Sequence, residues 1–468
     1  MKTGCTTLYV FLAFLAAACE SVPAERSEAE ASSGIRPWAA NPAYWEYRGE
    51  PVLLLGATDN DNLFQNLHLK SHLDSLHAVG GNYIRNTMSD RDPGDLRAFA
   101  RNGEGKYDLN TWNDAYWRQF DSLLRWTAER DIVVQIEIWD RFDHSRDNWR
   151  TDPYHPANNT NYTYESARLD SLYPNHPGAN EQPFFYTVPA LDHNPELLAY
   201  QESFVRKLLT HSLPYDHVLY CIDNETKGED AWALYWAAFL KKEAGEKEIM
   251  VTQMWDDWDI TSAMHRRTLD RPDTFSYIDL SQNSHNTGQQ NWDKARAIFE
   301  YIEPNPRPVN GTKIYGSSTS SWVNRGIDGR HAVETFFRNI LGGFASSRFH
   351  RPPSGLGLSI PSMRAIASVR KVEEKVRFWE MQPRMDLLAD REENEAYCAA
   401  NEGRYYLIYF PEEGEVLVDI SAMGGTGVLH WLSVRDAKWL SASNISENET
   451  LTLKSPVRNG SIALLVKK

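Results

Sequence analysis

The chain has 468 residues, 41% of them hydrophobic, with 16 Trp, 22 Tyr and 18 Phe. That is ample material for a large core and excludes a globally disordered protein. Its 49 Lys and Arg against 64 Asp and Glu leave a net charge of −15, which argues against nucleic acid or an anionic membrane surface as partner, because both need clustered basic residues.

The four Cys show neither zinc-type spacing nor a disulfide framework, and two of them fall in the first 19 residues. Lys2 precedes an apolar run over 8–15 that ends in Ala16-Ala17-Ala18-Cys19. A basic start, a short apolar core and small residues describe a signal peptide, too short to cross a bilayer as a helix. The ending resembles a bacterial lipoprotein signal, with Ala16 where Leu is usual. On that reading 1–19 is removed or lipidated at Cys19, and the protein touches a membrane only through this anchor. The alternative is an ordinary secretory leader. Both predict export, to the periplasm, the outer membrane or the cell surface. Residues 20–34, rich in Ala, Ser and Glu, predict a flexible tether.

From 35 onward short apolar runs alternate with amphipathic stretches. Strands are predicted at 51–56, 82–86, 131–139, 217–222, 249–253, 275–279, 312–315 and 342–346, with helical patterns between them at 73–77, 117–130, 195–211 and 231–242. Nearly continuous apolar strands followed by helices predict an α/β chain, a (β/α)₈ TIM barrel over 35–390. Residues 141–193 are rich in Asn, Tyr, Pro and His and lack a period. An insert of that length after the third strand belongs on the face where barrel sites are built. Past 390 the runs 396–400, 404–410, 415–420, 427–432 and 461–466 predict a small antiparallel β-sandwich domain over 391–468.

The fourth strand ends in Asp223-Asn224-Glu225-Thr226. An Asn-Glu pair there suits a proton-donating carboxyl, Glu225, beside an amide, Asn224, that bonds a substrate hydroxyl. At this point the chain resembles the large clan of (β/α)₈ glycoside hydrolases. More narrowly it resembles the apiosidase-like barrel family, through 41–58 at the start and Gly80-Gly-Asn-Tyr-Ile-Arg85 at the second strand. Its last segment resembles the small β-domain of those proteins, which carries a collagen-binding label. The resemblance implies O-glycosyl hydrolysis of a plant or algal polysaccharide fragment, with Glu225 as general acid/base and Arg85 near the site.

Enzymes of the clan that retain configuration carry a second acid after strand seven. Here that strand runs into Tyr315-Gly316-Ser317 and has none, Gly316 standing in the acid's place. Replacements are sought at other strand ends: Asp256 and Glu137 first, then Asp59. Trp255 and Trp258 flank Asp256 and Asp257 as a candidate sugar platform. His350 and Arg351 after strand eight, with Arg85, are candidates for clamping an acidic sugar, and His285 for orienting a carboxylate or touching substrate. No cofactor motif appears: no dinucleotide glycine fingerprint, no phosphate loop, no His-Glu-x-x-His. The missing acid keeps open a second reading, a glycan-binding lipoprotein without turnover, and the collagen-binding label a third, an adhesin.

Overall fold

Eight parallel strands form a ring in the computed structural model, which describes residues 34–446 and 449–468, together with 1, 2 and 4. The leader run, Cys19 and the tether through 33 lie outside the described residues. The strands are β1 (Leu54–Ala57), β2 (Tyr83–Thr87), β3 (Val133–Asp140), β4 (Val218–Asn224), β5 (Met250–Thr252), β6 (Ile278–Asp279), β7 (Val309–Ile314) and β8 (Ser346–Phe349). They pair in the order β5-β4-β3-β2-β1-β8-β7-β6. Ser276 N donating to Val251 O (2.9 Å) and Thr252 Oγ1 to Tyr277 O (2.7 Å) close the ring between β5 and β6. Every residue of β3 and β4 is buried, because helices cover one side and packed side chains fill the other. That is why these segments read as apolar runs without alternation.

The helix Asp114–Ala128 shows how the outer layer is encoded. Asn113 caps it by accepting from Ala115 N, and Tyr116, Trp117, Phe120, Leu123 and Leu124 fall on its buried face. The predicted eighth strand was misplaced. Residues 342 and 343 end the helix Gly329–Leu341, with Gly342 N bonding back to Arg338 O and Gly343 at φ +97°. The strand itself starts at Ser346. Before the barrel, the strands Arg36–Trp38, Asn41–Tyr47 and Glu50–Val52 make an antiparallel sheet. Trp45 from it is fully buried and donates to Asn310 Oδ1 (2.9 Å) at the start of β7, so the hairpin plugs the N-terminal end of the ring.

The 141–193 insert is ordered without long elements. Its asparagines stand in for secondary structure: Asn158 Nδ2 donates to Arg150 O and Asp152 O, each at 2.9 Å, and Asn159 Nδ2 to Pro153 O and His155 O, each at 3.1 Å. Trp149, Phe184 and Phe185 are buried beneath it.

The C-terminal strands form a six-stranded antiparallel sheet and a three-stranded one over a shared core that includes Tyr406, Ile408, Val416, Val418 and Leu465. Two short strands, Gln382–Pro383 and Leu388–Ala389, already pair into these sheets, so the β-domain begins before 391. Lys438–Ile445 escaped the sequence reading because this edge strand is largely exposed and polar. The β-domain packs on the barrel: Phe337 stacks on Tyr409 at 4.7 Å, and Lys371 Nζ donates to Ala437 O at 2.6 Å.

Candidate active site

The C-terminal ends of the barrel strands surround a polar cleft of about 460 Å³, lined by Asp61, Arg91, Asn224, Glu225, Lys227, Asp256, Gln282, Lys313 and Tyr315, with an aromatic side of Trp258, His285, Trp322 and His350. A larger groove of about 660 Å³ between the helices Leu69–Ala78 and Asp114–Ala128 lies on the barrel's outer wall, away from the strand ends.

Glu225 sits one residue past β4 with φ +50°, a left-handed conformation that a non-glycine residue keeps only where its surroundings impose it. Its Oε1 accepts from Gln282 Nε2 (2.8 Å) and from the Tyr315 hydroxyl, and Lys313 Nζ lies 3.1 Å away. Burial alone would raise its pKa. The Lys313 charge and the bonds from Tyr315 and Lys313 outweigh that and hold the carboxyl below its ordinary range. The sequence reading takes Glu225 as a proton-donating carboxyl; Lys313 instead favours its ionised form.

Asp256 behaves oppositely. Burial, and then the Glu225 charge, push its pKa up, and Lys227, 3.9 Å away, offsets this only in part. The cleft thus holds two carboxyls whose surroundings push their pKa values apart.

Lys313 and Tyr315 reach the cleft through an irregularity in β7. Gly311 pairs with Ser347 and Ile314 with Phe349, so three steps on β7 match two on β8. The extra residue is a bulge. It puts both Thr312, bonded to Tyr83 Oη at 3.0 Å, and Lys313 on the inner side. Strict alternation from Thr312 would turn Lys313 outward, which is why the sequence pattern hid it. Gly316 follows at φ +121°, where a Cβ would stand 2.2 Å from Asp328 O, so this backbone has no room for the acid that the resemblance expects there.

Arg85 is fully buried. Its Nε donates to Glu137 Oε1 (2.8 Å), its Nη2 to Glu137 Oε2 and its Nη1 to Asp61 Oδ1. Arg351 Nε holds the other Asp61 oxygen at 2.5 Å. Arg91 joins Asp140 (2.6 Å) and Asp143 (2.5 Å), and Asn224 Nδ2 donates to Asp140 Oδ2 (2.7 Å) while its Oδ1 accepts from Lys313. These pairs form a scaffold beneath and around the cleft.

The candidates therefore separate. Glu225, Asp256, Asn224, His285, His350 and Arg351 line the cleft. Glu137 and Arg85 do not: they are locked to each other below it. Asn224 has one N–H and one lone pair left over for a ligand. Asp59 turns away, its Oδ1 accepting from Leu358 N at 2.7 Å and its Oδ2 facing His72 at 3.4 Å. Trp255 is no platform. It is 1% exposed, donates to Thr268 Oγ1 at 2.7 Å and faces the helical layer. Trp258 is the exposed one at 39%, stacked on His285 at 4.5 Å, with Arg325 4.1 Å from its ring centroid.

Burial keeps His285 and His350 neutral, lowering the first to about 4 and the second further. The Nδ1 atoms of both are buried without a partner. Among the described residues no group of three or more His, Cys, Asp or Glu is arranged to hold a metal ion.

No family model and no curated protein sequence matches this chain. Solved structures do. A protein described as a glycoside hydrolase superposes with a TM-score of 0.63 at 13% identity, over 93% of this chain and 97% of its own. A glycoside hydrolase family 5 protein from Bacteroides vulgatus gives 0.62 at 13% identity, over 93% and 94%. The noncanonic maltogenic α-amylase AmyB from Thermotoga neapolitana gives 0.51 at 13% identity, over 89% and 99%. At such identities the likeness is one of fold: a TIM barrel with a C-terminal β-domain.

Proposed function

We propose that this chain is an O-glycosyl hydrolase acting on oligosaccharide or polysaccharide fragments, with Glu225 and Asp256 as its working pair. The observation that carries the reading is that both line one polar cleft at the strand ends, in surroundings that push their pKa values in opposite directions. Lys313, Tyr315 and Gln282 meet Glu225 and lower its pKa, whereas burial and the Glu225 charge raise that of Asp256. Glycoside hydrolysis needs that division, one group to give a proton to the leaving oxygen and one to develop or accept charge at the sugar carbon. The roles are thus exchanged from the sequence expectation: Asp256 is the proton donor and Glu225 the carboxylate. Trp258, Trp322, His285 and His350 offer the flat and polar surface that a sugar ring binds, and the neighbours described as glycoside hydrolases share the scaffold. The apiosidase-like resemblance of 41–58 and 80–85 fits this reading.

The test is a panel of plant and algal oligosaccharides and aryl glycosides, with products followed by chromatography. Native protein should cleave at least one, and Glu225→Gln and Asp256→Asn should each abolish cleavage. A second reading, glycan binding without turnover, draws on Gly316 in place of the strand-seven acid. Saturable binding without cleavage, surviving Glu225→Gln, selects it. Export with a lipid on Cys19 belongs to the same proposal; Cys19→Ser should abolish incorporation of labelled palmitate in cells.

A further inference from the structure

We propose that Tyr315 is the nucleophile of this cleft, attacking the anomeric carbon through its phenol oxygen while Glu225 takes the phenol proton. The proposal rests on the glycosidase reading above and names the group that replaces the missing strand-seven acid.

Three observations carry it. First, the residue that follows β7 does reach the cleft: Tyr315 lines it and its hydroxyl donates to Glu225 Oε1. A phenol bonded to a carboxylate is the nucleophile–base arrangement in its simplest form. Second, the ring is fixed. His285 packs on it at 4.7 Å, Trp322 at 5.0 Å and His350 at 4.8 Å, so the oxygen is held in place before substrate arrives.

Third, the acids nearest Tyr315 already have partners on at least one oxygen. Asp61 is shared by Arg85 and Arg351, and Asp140, just below, by Arg91 and Asn224. Glu225 Oε1 already meets Tyr315, Gln282 and Lys313. Asp256, whose pKa burial and the Glu225 charge raise, serves as the proton donor of the reading above. Burial and Glu225 hold the phenol pKa well above its ordinary value, so the proton must leave as the bond to carbon forms.

The chemistry balances. Tyr315 Oη bonds to the anomeric carbon as its proton passes to Glu225. The glycosidic carbon–oxygen bond breaks, and the leaving oxygen takes the Asp256 proton. A water then attacks the same carbon and gives its proton to Asp256. The bond to Tyr315 breaks and Oη recovers its proton from Glu225. Two displacements give retention of configuration.

The experiment uses the full exported chain and 2,4-dinitrophenyl glycosides of the common pentoses and hexoses. For the sugar released, the anomer formed first is read by NMR. The matching 2-deoxy-2-fluoro glycoside then serves as a trap, with the labelled peptide located by mass spectrometry. The expected result is retention, a label on Tyr315, and in Tyr315→Phe no label and a kcat about a thousandfold lower with little change in KM. Phe keeps the ring contacts, and an unchanged melting temperature checks the fold. Inversion, a label on Glu225 or any other carboxylate, or a Phe variant within about tenfold of native kcat overturns the proposal and leaves the glycosidase reading standing. A panel on which the native chain cleaves nothing removes that reading and the proposal with it.

Discussion

Lys313 Nζ lies 3.1 Å from Glu225 Oε1, in a pair of side chains that β7 and the end of β4 bring together across the ring. Both are largely buried, so little solvent screens the contact, and it favours the ionised form of Glu225. Replacing Lys313 by Met removes the charge that offsets burial. The Glu225 pKa should then rise, and the acid limb of a kcat/KM–pH profile should move to higher pH. An acid limb that stays in place would mean that Glu225 ionisation does not govern the rate.

The alkaline limb belongs to Asp256. With Asp256 as the proposed proton donor, the rate should fall as pH rises through its raised pKa. Lys227 lowers that pKa. Lys227→Gln should therefore shift the alkaline limb upward and leave the acid limb alone, as a pH–rate profile of the variant will show.

Arg85 illustrates how a candidate for binding becomes a structural residue. It is sealed between Glu137 and Asp61, and removing one partner of such a set strands uncompensated charge. Arg85→Met should cost about 3–5 kcal/mol in urea unfolding. Arg85→Lys should recover part of this, because it keeps the charge but loses the fork that holds both Glu137 oxygens. An effect confined to KM, with stability unchanged, would return Arg85 to the substrate.

Gly316 is the position where the clan's acid is expected, and the backbone there forbids a side chain. Gly316→Ala brings a Cβ to 2.2 Å from Asp328 O at φ +121°, and should lower stability by about 1–3 kcal/mol or more on thermal denaturation. Gly316→Glu should behave no better and should not raise activity. A stable, faster Gly316→Glu variant would show the strand relaxing into the pattern that the sequence resemblance implies.

The barrel was legible because its strands are buried on both sides and its helices carry one apolar face each. Val133–Asp140 and Pro195–Ser212 are recognisable from residue type alone. The site was legible where one residue announces itself at a strand end, as Glu225 and Asp256 do. It was not where backbone geometry intervenes. Lys313 lies in a strand with an extra residue and Tyr315 just after it, and pairing register is not written in composition. Trp255 and Trp258 are alike in sequence and opposite in orientation, because Trp255 faces Thr268 in the helical layer. Lys438–Ile445 lacks the apolar alternation that marks an inner strand, since a sheet edge facing solvent needs none.

The bulge in β7 has a consequence for how such a cleft changes over time. Asn310, Thr312 and Tyr315 would keep their inward faces if Lys313 were deleted, since Ile314 would then take the outward step between Thr312 and Tyr315. Loss of that one residue would strip a cation from the cleft without re-registering β6 or β8, and its gain would be as local. A single-residue insertion or deletion at this point would therefore change the charge lining the cleft while leaving the neighbouring strand pairings in place.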